Sequence, residues 1–127
     1  PSVAQDFSDW GNPTPIVLAA MARSDLPILA SGGVRRGVDI AKSIALGATL
    51  AGLALPFIRA EAQNGRDGIL SQIDTLTQSL KTAMLLTGCC NIADLRSAGL
   101  ILSDPFVSQV RQYKQPQQWR RLIENAV

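Results

Sequence analysis

Histidine is absent from all 127 residues of the chain. Its absence removes the commonest general base and metal ligand and excludes a Ser-His-Asp triad built within this chain. Cysteine is nearly absent too, with Cys89 and Cys90 standing side by side. Adjacent cysteines seldom bridge one another, because a disulfide wants its Cα atoms well apart, and these form no C-x-x-C redox or zinc pair. They read as structural residues at a helix end, and a reducing cytosol is the expected compartment. Aromatic residues make up only 5% of the chain. Long apolar runs are missing as well: Ile44 to Ile58 is interrupted by Gly47, Gly52 and Pro56 and falls short of the ~20 residues a membrane span needs. No signal peptide is visible. Net charge is only +2, too small to point to nucleic acid. The excess sits in the tail: residues 1–104 carry 8 basic and 9 acidic side chains, residues 105–127 carry 4 and 1.

What is present is a hydrophobic fraction of 46%, which argues against disorder. Phe7 and Trp10 lie in an irregular entry segment and read as packing anchors. Thr14 is a good N-cap and Pro15 a good first helical residue, predicting a helix to about Arg23. Pro27 to Ser31 is a short apolar run closed by Gly32-Gly33, the pattern of a strand buried on both faces. A helix from about Gly37 to Leu46 follows, with Ile40, Ala41, Ile44 and Ala45 on one face. Thr49 to Leu53 is a second buried strand, closed by Pro56. A short helical piece through Phe57, Ile58 and Ala60 comes next. A long helix from about Arg66 to Thr87 then carries the stripe Ile69, Ile73, Leu76, Leu80, Ala83 and Met84. Asn91 caps a short helix through Leu95, and Asp104-Pro105 signals another in the tail.

Strands alternating with helices at this spacing make βαβ units of a parallel sheet. Two strands apolar on both faces cannot cover each other. The chain therefore reads as α/β, the C-terminal portion of a larger (β/α)8 barrel holding its last two strands with their helices. Residues 1–100 form the barrel part and residues 101–127 a helical tail.

The segment richest in chemistry is Ser31-Gly32-Gly33-Val34-Arg35-Arg36. Paired glycines at a strand's C-terminal end let the backbone approach a ligand closely, and the next helix aims unpaired N–H groups at the same place. Together they read as a phosphate nest, or more blandly as a strand-to-helix turn. In (β/α)8 barrels the loops after strands seven and eight form the usual phosphate site. Neither a Walker A loop nor a Rossmann fingerprint fits the glycine spacing. One of Arg35 and Arg36 reads as solvated, and Asp39 with Lys42 as a surface pair.

Three stretches strongly resemble type 2 isopentenyl-diphosphate isomerases: Asp9-Trp-Gly-Asn-Pro-Thr14, Ile28-Leu-Ala-Ser-Gly-Gly-Val-Arg35 and Asp39-Ile-Ala-Lys-Ser-Ile-Ala-Leu-Gly-Ala48. So do Leu80-Lys-Thr-Ala-Met-Leu-Leu-Thr-Gly-Cys89 and Asn91-Ile-Ala-Asp-Leu95. The Ser-Gly-Gly-Val-Arg helix start and the Leu-Gly-Ala turn are shared with FMN-dependent 2-hydroxy-acid oxidases. The flanking motifs are the more specific ones. The resemblance covers about residues 5–100.

It implies an FMN enzyme on a (β/α)8 barrel, cytoplasmic, interconverting isopentenyl and dimethylallyl diphosphate. Reduced FMN, obtained with NADPH, would act as acid/base catalyst, and Mg2+ would hold the substrate diphosphate. Family members assemble as homo-oligomers, tetramers or octamers. By position, the FMN phosphate is expected on the backbone N–H groups of Gly32, Gly33, Val34 and Arg35, closed by Ala54 and Leu55. No catalytic residue and no metal ligand maps onto this chain, so alone it is expected to be inactive. A 2-hydroxy-acid oxidase would need a His-Asp-Gly-x-Arg stretch, and a non-catalytic phosphate-binding or assembly module is the third alternative.

Overall fold

The computed structural model describes residues 3–22 and 25–113 of the chain. Its elements are α1 (Val3–Asp6), α2 (Thr14–Met21), β1 (Leu29–Ala30), α3 (Gly37–Ala45), β2 (Leu50–Ala51), α4 (Leu55–Leu86), α5 (Ile92–Arg96) and α6 (Asp104–Tyr113). This order matches the expected alternation. The tail beyond Tyr113 lies outside the described residues, as does Arg23 at the expected end of the first helix.

β1 and β2 pair in parallel with Leu29 opposite Leu50 and Ala30 opposite Ala51. The strands are shorter than the five-residue runs in the sequence predicted. The Thr49 N–H donates to the Ile28 carbonyl at 2.7 Å and the Gly52 N–H to Ala30 at 2.7 Å, so pairing extends just past the formal ladder. It stops where the Gly32-Gly33 turn and the start of α4 take the backbone away. Among the described residues neither strand has a third neighbour.

The pleat then sorts the side chains. Ala30 turns toward the helices and packs with Leu18 and Ala48, flanked by Ile28 and Leu46. Leu29 and Leu50, opposite one another in register, remain 68% and 62% exposed. One sheet face is thus covered by helices and the other is bare, as a sheet cut from a barrel would be.

A second cluster joins the helices. Ala41 and Ile44 of α3 pack on Leu95 of α5, with Leu80, Ala83 and Met84 of α4 closing around them. Burying a leucine or isoleucine contributes about 1.5–3 kcal/mol, so these few residues carry much of the stability. The predicted stripe of α4 is used mainly in its C-terminal half, since Leu76 is buried while Ile73 is 45% exposed. α4 is one element broken at Asn64 and Gly65, where the backbone leaves helical angles. The short piece and the long helix expected on either side of residue 65 are its two arms. Asn91 caps α5 as expected, accepting the Asp94 N–H at 2.9 Å. The Asp94 carboxylate accepts the Asn91 and Cys90 N–H groups in return.

Two expectations are corrected. Phe7 and Trp10 are not buried anchors: they are 55% and 80% exposed. They meet each other edge to face at 5.7 Å between ring centroids. Thr14 is not an N-cap: Pro13 holds that position, and the Thr14 hydroxyl bonds across to the end of β1.

Candidate functional site

The carboxyl ends of β1 and β2 lie side by side, and the loops leaving them enclose a cavity of about 230 Å3. Its wall consists of Ser31, Gly32, Gly33, Val34, Arg35, Gly52, Leu53, Ala54 and Leu55. All six positions singled out in the sequence, from Gly32 to Arg35 and at Ala54 and Leu55, therefore meet around one space. Register explains the meeting: Ala30 stands opposite Ala51, so the segments that follow leave the sheet at the same level.

The electrostatics of this wall favour an anion. It contains no carboxylate, and its one charged side chain is Arg35. Gly32 and Gly33 adopt φ of 94° and 76°, which side-chain-bearing residues rarely take. The backbone N–H groups of Gly32, Gly33, Val34, Ala54 and Leu55 have no acceptor among the described residues. Donors without acceptors around a small hollow are what a phosphate needs.

Arg35 enters differently from the expectation. Its backbone N–H donates to Asp39 Oδ2 at 3.2 Å, leaving the guanidinium as the group available to a ligand. Arg36 is the committed partner: its N–H donates to the same oxygen at 2.9 Å and its guanidinium reaches Asp39 Oδ1 at 3.4 Å. Asp39 pairs with Arg36 and not with Lys42, because it sits at the third helical position, where a carboxylate reaches back to the N-cap. A guanidinium cannot accept, so this is half of a capping box.

Burial pushes the Asp39 carboxyl up, but the Arg36 side-chain bond, the Arg35 and Arg36 N–H groups and the Arg36 charge outweigh it, and the net direction is down. A carboxyl depressed on folding stabilises the protein above its unfolded pKa and loses that contribution as pH falls through the folded value. Replacing Asp39 with asparagine is therefore expected to cost about 1 kcal/mol at neutral pH. The difference should shrink toward zero as pH drops below the ordinary aspartate range. Urea melts of both forms from pH 7 to pH 2.5 check it.

A larger cavity of about 500 Å3 lies across the Gly32-Gly33 turn, bounded by Ser8, Asn12, Thr14, Asp39, Lys42 and Ser43 among others. Its mixed charge suits an anion less well than the smaller hollow does. Among the described residues no three His, Cys, Asp or Glu side chains are grouped to hold a metal. No described helix is long and apolar enough to cross a membrane.

A parallel βαβ pair with a hollow at its carboxyl edge is the arrangement found in a sector of a (β/α)8 barrel, where phosphate sites commonly lie. The chain matches the model for FMN-dependent dehydrogenases over residues 13–102, and it belongs to that family. Its relatives include isopentenyl-diphosphate delta-isomerases. That of Archaeoglobus fulgidus is 44% identical over 102 residues, covering 80% of this chain and 29% of the relative. That of Pyrococcus horikoshii is 41% identical over 102 residues, covering 80% and 28%. The chain thus spans under a third of the length of these curated relatives. Among solved structures it is similar to a lactate oxidase from Pediococcus acidilactici, with a TM-score of 0.69 and 33% identity over 73% of this chain and 27% of that one. A flavocytochrome b2 solved with benzoylformate gives a TM-score of 0.64 at 28% identity, covering 76% and 29%. These neighbours are (β/α)8 barrel flavoproteins, and the architecture seen here is a sector of that barrel.

Proposed function

We propose that this chain is the FMN-phosphate-binding portion of an isopentenyl-diphosphate isomerase. The observation that carries the reading is the 230 Å3 hollow with acceptor-free N–H groups, one arginine and no carboxylate. The N–H groups of Gly32, Gly33 and Val34 hold the phosphate from the β1 side, and those of Ala54 and Leu55 close it from the β2 side. The Arg35 guanidinium adds the charge-assisted contact. Bound and reduced, the flavin supplies acid/base chemistry for interconverting isopentenyl and dimethylallyl diphosphate. The residues of this chain orient it by its phosphate and take no part in proton transfer.

NADPH, which reduces the flavin, and Mg2+, which holds the substrate diphosphate, enter through the resemblance, and no residue here is assigned to either. The same resemblance supports a cytoplasmic homo-oligomer. The isomerase reading is preferred to a 2-hydroxy-acid oxidase because the isomerase relatives are 41% and 44% identical and the oxidase structure 33%. The chain also contains no histidine for the oxidase motif.

The test is a fluorescence titration of the chain with FMN, and with riboflavin as the control that lacks phosphate. FMN is expected to bind at least ~10-fold more tightly, the worth of one charge-assisted contact. Equal affinities, or binding of neither, would remove the phosphate-site assignment. In a longer protein carrying this sequence, isomerisation dependent on reduced flavin and Mg2+ is expected. Hydrogen peroxide formed from a 2-hydroxy acid would establish the oxidase reading instead.

A further inference from the structure

We infer that Thr14 is a positioning residue for the phosphate nest, setting the direction of its N–H groups from the opposite side of the turn. The inference rests on the phosphate reading of the Gly32–Val34 hollow and adds to it a residue from another element. The Thr14 hydroxyl lies 2.8 Å from the Gly32 carbonyl oxygen and 3.1 Å from that of Ser31. Its single proton is shared between two acceptors. The approach is close enough that a methyl group on Gly32 would sit 3.1 Å from Thr14 Oγ1.

The consequence follows from peptide geometry. In a planar trans peptide the carbonyl and the N–H point in opposite directions, and the described chain contains no cis bond. The Ser31 carbonyl shares its plane with the Gly32 N–H, and the Gly32 carbonyl shares its plane with the Gly33 N–H. Holding both carbonyls toward α2 therefore turns both N–H groups away from it. The two cavities reflect this: Thr14 lines the 500 Å3 space and is missing from the wall of the 230 Å3 one, while Gly32 and Gly33 line both. Glycines at positive φ are free to flip such a peptide plane, so an anchor on the carbonyl side is needed. Thr14 also opens α2 directly after the Phe7–Pro13 loop, which joins that loop to the nest.

The test compares Thr14→Val, which keeps the shape and loses the hydroxyl, with Thr14→Ser, which keeps the hydroxyl. Amide NMR of the ligand-free chain should show the Gly32 and Gly33 resonances displaced in the valine form and restored in the serine form. Resonances of the α3–α4 contact should stay in place, showing that the fold is intact. FMN affinity should fall about 3- to 10-fold in the valine form, the worth of a neutral hydrogen bond, with riboflavin affinity unchanged. In the unsubstituted chain the Thr14 hydroxyl proton should exchange slowly and show contacts to Gly32, a measurement that stands even if the valine form does not fold. Unmoved Gly32 and Gly33 amides, or a freely exchanging hydroxyl, would overturn the inference. If the amides move as expected but FMN never perturbs them, the phosphate reading fails and the positioning role stands.

Discussion

Replacing Gly37 with alanine is expected to destabilise the chain by about 3 kcal/mol, at the upper end of ordinary overpacking costs. Helix propensity alone predicts the reverse, because alanine is better than glycine inside a helix by about 1 kcal/mol. Packing decides the sign. α3 crosses α4 at this residue, and a methyl group there would lie 2.5 Å from the Leu76 carbonyl oxygen and 2.6 Å from Ser79 Cβ, with Leu80 N closer still. Two of these three obstacles are backbone atoms of a long helix, which cannot swing aside as a side-chain tip can. To admit the methyl the helices must separate, and separation opens the cluster of Ala41, Ile44, Leu95 and Leu80. Urea denaturation checks it, with Gly99→Ala as the control because nothing lies within 4 Å of that position. The control should stay within about 0.5 kcal/mol of the parent. A Gly37→Ala form as stable as the parent would show that the α3–α4 crossing has slack. The consequence reaches the site, since α3 begins directly after the nest and any shift of its first turn moves Val34 and Arg35.

The alternation of strand and helix was legible because it depends on local patterns. Short apolar runs ending at Gly32 and Pro56, and threes and fours along α3 and α4, each read directly onto an element. The need for missing neighbours was legible too, and it reappears as the bare side chains of Leu29 and Leu50. Gly32 and Gly33 stood out because paired glycines at a strand end free the backbone to approach a ligand. Ala54 and Leu55 came from the family resemblance, and the register of β1 and β2 is what brings them alongside. Apart from the Asn91 cap, the hydrogen-bond partners were not legible. Thr14 looks like a cap in sequence, but its real acceptors are 17 and 18 residues away and come within reach only through the fold. The choice of Arg36 over Lys42 as partner of Asp39 turns on which end of α3 the carboxylate faces. Phe7 and Trp10 read as anchors because aromatics are usually buried, whereas here they are exposed and pack edge to face on each other. For Gly37 a signal was available, a glycine at the start of an amphipathic helix, but only the α4 backbone above it shows what the glycine is for.

Placing a negative charge in the nest should produce the largest change in ligand affinity. Gly33 has φ of 76° and nothing within 4 Å of where a Cβ would stand, so a side chain fits but the backbone angle is unfavourable to most residues. Asparagine and aspartate are nearly isosteric and are the side-chain-bearing residues that best tolerate this region. The pair Gly33→Asn and Gly33→Asp therefore carries the same backbone strain and differs in charge alone. Asparagine is expected to weaken FMN binding by roughly 3- to 10-fold, by crowding the donors. Aspartate should weaken it by ~100-fold or more, since like charges in one small site cost several kcal/mol. Riboflavin, which brings no phosphate, should respond equally to both. The comparison is informative because strain, loss of fold and steric exclusion would all affect the two variants alike, and only an anion seated against Gly33 separates them. Equal FMN losses for asparagine and aspartate would mean that the phosphate does not lie on this turn. The acceptor-free N–H groups around the hollow would then need another occupant.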